Sequence, residues 1–248
     1  MSEQKDLVSQ LVLFLHLRKY EPGERVPSER EMAERFQVSR GHIREALAFL
    51  EALRVIERRA KSGIFMAREA ASVEALALYA QVGAPLTAED VQQSIEMRKI
   101  HEITAVRLAC ERATLDNFDR LRAILAASEA KMAAGQPINE EDRAFHLEIV
   151  RATQNSIFHR IVQVYYLMTV DRLRIYFNDP ARCRTSHEEH LAIFQAVARR
   201  DAMTAMNLMS EHLKGANSYW QDLIGRGAPP GPGDQTEAWL ALATGRSH

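Results

Sequence analysis

One aspartate and three histidines in the second half of the chain are residue types that hold a divalent metal: Asp142, His146, His190 and His212. Asp142 and His146 stand four apart, so on a helix they share one face with Phe145, Ile149 and Thr153. His190 falls with Ile193, Phe194 and Val197, and His212 with Ala205, Met209 and Ala216, each on an apolar helical face. Polar side chains turned inward need partners, and a single divalent ion satisfies all four, since nitrogen and oxygen donors suit zinc and its neighbours. The same spacing also allows each histidine a separate core hydrogen bond, the role assigned to His16, His101, His159 and His187. An open metal position would also suit a hydrolase or lyase. Against that, no His-Glu-x-x-His run is present, and Glu189 and Glu211, each beside a ligand, turn about 100° away on an ideal helix.

A second group is cationic. Arg40, Gly41, His42, Arg44, Glu45 and Ala48 lie opposite an apolar stripe of Ile43, Ala46, Leu47, Leu50 and Leu53 and crowd the first turns of that helix. A helix offered by that end to the major groove reads base edges. Arginine meets guanine or phosphate with two donors, while helix N-terminal amides and the hydroxyls of Ser28 and Ser39 can hold the backbone. Arg30, Arg40 and Arg44 are the leading contacts to double-stranded DNA, with His42 beside them. Lys61, Ser62 and Gly63 are placed to reach the adjacent groove. For any one of these residues a solvated surface charge is the plainer alternative.

These groups require elements to hold them. Leu7, Leu11, Phe14 and Leu15 recur at helical spacing until Glu21-Pro22-Gly23 signals a turn. Ser28-Glu29-Arg30-Glu31 is a capping box opening a short second helix with Met32, Ala33 and Phe36 inward, and Ser39 caps a third. Residues 55–59 and 64–67 favour strands joined by Ala60-Lys61-Ser62-Gly63, a wing-like hairpin. Residues 1–68 therefore form a winged helix-turn-helix, and 69–90 a linker with a short helix. Residues 91–223 form an all-helical antiparallel bundle, broken near Asp116, Gln136-Pro137, Asn155, Asp179-Pro180 and Asp201. The tail 224–248, rich in Gly and Pro, is expected to be disordered. The fold class is mainly α.

Composition narrows the options. With 46% of 248 residues apolar, two domains can each bury a core. Residues 1–68 hold 13 Lys and Arg against 10 Asp and Glu, and the remainder 19 against 23, the sense expected of a DNA-binding head on a non-binding body. Cys110 and Cys183 lie far apart in no CxxC pairing, which speaks against a disulfide framework. No apolar run approaches the roughly 18 residues that span a bilayer. A cytoplasmic protein without membrane association is expected.

The run from Pro22 to Ala33 and that from Val38 to Leu47, Val38-Ser39-Arg40-Gly41-His42-Ile43-Arg44-Glu45-Ala46-Leu47, resemble the winged helix-turn-helix of the GntR family of transcription regulators. The resemblance covers about residues 7–68 and implies operator contacts at Arg30, Arg40, Arg44 and Gly63. Gly41-His42 and the wing Ala60-Lys61-Ser62 depart from the family pattern. Asp142-x-x-Phe145-His146, Glu189-His190 and Glu211-His212-Leu213 are similar to the family's FCD sensor domain over about residues 91–223. That resemblance implies about six or seven helices around a zinc, nickel or manganese ion held by Asp142, His146, His190 and His212. It further implies a small carboxylate effector that completes the metal's coordination and meets Arg98. It also implies a homodimer on a roughly palindromic operator. Arg172 and Arg174, near Tyr165, Tyr166 and Tyr176, are further candidates for the cavity wall. A DNA-binding protein with a purely structural metal is the remaining alternative.

Overall fold

A computed structural model describes residues 2–68, 72–82, 88–167 and 169–225 of the chain. The expected tail beyond residue 225 and parts of the linker, 69–71 and 83–87, lie outside them. The described chain divides into two compact units, one through the helix that follows the hairpin and one from residue 88 onward.

The first unit contains α1 (Ser2–Leu17), α2 (Glu29–Phe36), α3 (Arg40–Ala52), β1 (Ile56–Arg59), β2 (Gly63–Met66) and α4 (Val73–Gln81). Ser28 caps α2 as a full capping box: its hydroxyl accepts from the Glu31 amide, and the Glu31 carboxylate accepts from the Ser28 amide. Gln37 then takes a left-handed conformation (φ 54°) and stops the helix. Two residues on, the Ser39 hydroxyl accepts from the His42 amide and starts α3. These local signals set the angle between the two helices. Leu11, Leu15, Met32, Ile43, Leu47, Leu50 and Ile56 lock it with a core from which water is excluded. β1 and β2 pair antiparallel from Ile56 opposite Met66 to Arg59 opposite Gly63. Lys61 (φ 61°) and Gly63 (φ 117°) make the reversal. The linker helix α4 packs on α1 and places Ala75 in this core, so it is part of the head rather than a free connector.

Among the described residues the second unit has seven helices: α5 (Ala88–Arg112), α6 (Leu115–Ala133), α7 (Asn139–Arg151), α8 (Ser156–Leu167), α9 (Val170–Tyr176), α10 (Pro180–Ala198) and α11 (Ala202–Gly225). Most expected breaks are N-caps. Asn155 accepts from the Phe158 amide, Asp179 from the Ala181 amide and Asp201 from the Thr204 amide. At α6 the cap is Thr114, and Asp116 lies inside the helix instead of breaking it. Val106, Leu121, Phe145, Ile149, Val162, Tyr166, Ile193, Val197 and Met209 fill one continuous core between the helices. No helix of the described residues is long and apolar enough to cross a membrane.

Candidate functional site

Helices α7, α10 and α11 bring Asp142, His146, His190 and His212 together inside the second core, where all four are buried and one ligand atom from each lies within 4.8 Å of the others. His212 Nε2 is 3.2 Å from both His190 Nε2 and His146 Nε2. Asp142 Oδ1 lies 3.5 Å from His190 Nε2 and 3.7 Å from His146 Nε2. Donors about 2.1 Å from a common ion stand about 3.0–3.4 Å apart along a coordination edge, so the spacing fits a single ion. Asp142 Oδ1 accepts from Ser186 Oγ at 3.2 Å, while Asp142 Oδ2 is buried without a hydrogen-bond partner among the described residues. A buried carboxylate with one oxygen orphaned and the other beside imidazole nitrogens is what a cation would satisfy. Burial holds His146 below the usual histidine value and His190 well below it, with the neighbouring His212 and His146 rings adding to the effect at His190. Both rings are thereby kept in the neutral form that ligates.

Two carboxylates stand behind the histidines. Glu189 Oε2 is 2.6 Å from His212 Nδ1, and Glu102 Oε2 lies against His146 Nδ1. His190 instead stacks flat on Phe145, with ring centres 4.1 Å apart. Sequence reasoning missed both carboxylates. Glu102 carries no role in the sequence reading, yet its side chain is 1% exposed. Glu189 does turn away from its neighbour His190, but toward the ligand on the adjacent helix. The i,i+4 spacing of Arg98 and Glu102 was the available signal for the first. Arg98 Nε donates to Glu102 Oε1 at 2.7 Å, and its Nη2 reaches His146 Nε2 at 3.0 Å, so the arginine sits at the edge of the histidine cluster. Tyr166 also donates to Glu102 Oε1. Burial alone would raise the Glu102 carboxyl, but Arg98 and His146 hold it well below the usual range.

Among the other candidates, Arg174 is exposed on α9, and the Arg172 side chain lies outside the described residues. His187 meets Ser128 at 3.1 Å, as a core histidine should. His101 is 2% exposed, set edge-on to Tyr165, with no aligned hydrogen-bond partner at either ring nitrogen among the described residues.

In the head, Ser28, Arg30, Ser39, Arg40, His42, Arg44 and Lys61 are all exposed around the start of α3 and the hairpin tip. Arg40 and Lys61 make no ion pair among the described residues, whereas Arg44 pairs with Glu29 at 3.2 Å and Arg30 approaches Glu34 at 3.8 Å. The Ser28 hydroxyl donates to Glu31 at 2.7 Å, so its proton is committed to the cap. Gly63 is half-buried, and a Cβ there would sit 3.0 Å from the Arg25 guanidinium. Its positive φ makes any side chain here strained, and the Arg25 side chain would have to give way to one.

Comparison with known proteins bears on both units. Residues 4–66 match the model of the bacterial regulatory proteins of the gntR family, and residues 93–215 match the FCD domain. The HTH-type transcriptional regulator LutR of Bacillus subtilis is 30% identical over 203 residues, covering 77% of this chain and 89% of LutR. The Uxu operon transcriptional regulator of Escherichia coli is 29% identical, covering 79% of this chain and 77% of its own. The galactonate operon transcriptional repressor of Escherichia coli is 26% identical, covering 75% and 83%. Among solved structures, Escherichia coli McbR/YncC shares the fold with a TM-score of 0.52 at 20% identity, covering 89% of this chain and 96% of its own. A second, Lar, said to control expression of the Listeria monocytogenes agr system, gives a TM-score of 0.62 at 18% identity, covering 86% and 94%.

Proposed function

Because the chain belongs to the gntR family of bacterial regulatory proteins and carries an FCD domain, we propose that it is a DNA-binding regulator whose operator affinity is set by a small carboxylate held at a divalent metal in the helical unit. That it regulates transcription follows from its family, and its relatives are regulators, not enzymes. The finer reading rests on one observation above all: four buried donors within 4.8 Å of one another, with the Arg98 guanidinium at their edge. Asp142, His146, His190 and His212 would hold the ion, for which zinc suits the donor set best and nickel or manganese are alternatives. When bound, it would supply a positive, Lewis-acidic anchor for an anionic oxygen. Arg98 would meet the same anion with its planar donors. A relative named for a galactonate operon, and hence for a carboxylate, supports that effector class.

On the DNA side, Arg30, Arg40, His42, Arg44 and Lys61, with Ser28, Ser39 and Gly63 around them, form the face offered to the operator. Exposure of the cations together with rigid capping of the helices that carry them supports this. As a homodimer in the cytoplasm, the protein would present two such faces to a roughly palindromic duplex. Residues 1–68 read DNA in this scheme, 69–90, with α4 packed on the head, lead on, and 91–223 sense. An effector changes operator affinity only by binding one state of the protein better than another.

The test is fluorescence anisotropy on a duplex selected from a randomised pool, using zinc-loaded protein and a panel of mono-, di- and tricarboxylates. At least one acid is expected to change operator affinity by about fivefold or more, and Arg98→Ala to abolish that response. A panel in which no acid moves the affinity beyond about twofold would overturn the effector reading.

A further inference from the structure

We infer that Glu102 is a positioning residue: one buried carboxylate that sets the ring of His146 for metal binding and aims Arg98 at the same centre. The inference rests on the metal reading given above. Glu102 lies on α5 one turn beyond Arg98 and is 1% exposed. Its Oε1 accepts from Arg98 Nε at 2.7 Å and from the Tyr166 hydroxyl on α8, while its Oε2 lies against His146 Nδ1 on α7 without an aligned hydrogen bond, neither atom having another partner among the described residues. Three helices are therefore pinned at one side chain.

The chemistry of the partners gives this arrangement a direction. A carboxylate beside a guanidinium only accepts, so the imidazole nitrogen facing it must carry the proton. His146 is then fixed as the Nδ1–H tautomer, which leaves its Nε2 lone pair free toward the cluster, where His212 Nε2 lies 3.2 Å and Asp142 Oδ1 3.7 Å away. A purely structural ion pair would need Arg98 and Glu102 alone, because removing two charges from water gains little stability on balance. The contact to His146 goes beyond such a pair. His212 repeats the pattern with Glu189, 2.6 Å from its Nδ1, but that glutamate is 40% exposed and so shares its charge with water. The two carboxylates should differ in weight accordingly, with Glu102 the stronger. Sharing one carboxylate also couples the two proposed subsites, since a change in how His146 is held is felt at Arg98.

The experiment uses the full chain with zinc alone as the probe. Zinc affinity is measured by competition with a chromophoric chelator, and histidine tautomers by long-range proton–nitrogen spectra of the chelator-treated, nitrogen-15-labelled protein. Glu102→Gln is expected to weaken zinc binding by about 10–100-fold and to make the His146 ring signals lose their Nδ1–H pattern. Glu189→Gln should weaken binding by less than about tenfold. Circular dichroism is recorded on the same samples. Should Glu102→Gln lose its helical signal, Glu102→Asp decides: it keeps the charge that Arg98 needs but withdraws the oxygen from His146, and is expected to weaken zinc binding measurably. Wild type that binds zinc, beside folded variants that match it within about twofold, overturns the role of Glu102 and leaves the metal reading standing. Wild type that binds no zinc overturns both.

Discussion

The two compact units treat polar side chains in opposite ways. Among the described residues, every buried polar or charged side chain belongs to the helical unit, from Ser94 to His212, while the head's buried residues are apolar throughout. The head works as a packed platform: Leu47, Leu50 and Ile43 fix α3 from below, and the cations stand in water above them. The helical unit turns its functional groups inward, where low dielectric makes each unpaired donor or acceptor costly and each paired one specific. A surface that must meet a polyanion keeps its charges solvated until contact. A site that must select a small ligand keeps its polar atoms few, buried and fixed in advance.

That contrast can be broken at either unit. The largest effect is expected from His190→Ala, which removes a ligand with no exposed substitute. Zinc affinity should fall by more than the roughly 10–100-fold that loss of an outer-shell partner costs, read by competition with a chromophoric chelator. Next comes Leu47→Ala beneath α3: truncating a fully buried leucine costs about 2–5 kcal/mol, which should appear as a lowered melting transition of the head and lost operator binding. Arg40→Ala then sharpens the comparison. With no ion pair to lose, it should leave stability within about 0.5 kcal/mol yet weaken operator binding by about 1–3 kcal/mol. A stability loss equal to the binding loss would show that Arg40 is a structural residue. The smallest effect is expected from Ser28→Ala, which deletes the α2 cap at a cost of about 1 kcal/mol by chemical denaturation.

How far each unit is legible in the sequence follows from the same contrast. Ser28, Ser39 and the Lys61–Gly63 turn act within a few residues, so short-range rules locate the head's elements. The helical period alone likewise puts Asp142 and His146 on one face and turns His190 and His212 inward. What the sequence withholds is long-range. Glu102 does not stand out in the sequence because its partners, His146 and Tyr166, lie on helices far along the chain. Glu189 is adjacent to one ligand and serves another, a relation fixed by the packing of α10 on α11. The inclusion of α4 in the head depends on Ala75 meeting the core of α1, which no local signal encodes. Thr114, not Asp116, caps α6 because the threonine hydroxyl and Asn117 form the reciprocal box, a choice between neighbouring candidates that spacing leaves open.

The most direct test of a metal-anchored carboxylate sensor is elemental analysis of the purified, tag-free protein beside an Asp142→Ala, His146→Ala, His190→Ala, His212→Ala variant. A thermal-shift screen of carboxylates on both samples follows. The account predicts about one divalent ion per chain in the wild type, lost in the variant together with stabilisation by at least one acid. A wild type without metal, or an acid response that survives the loss of all four ligands, would contradict it.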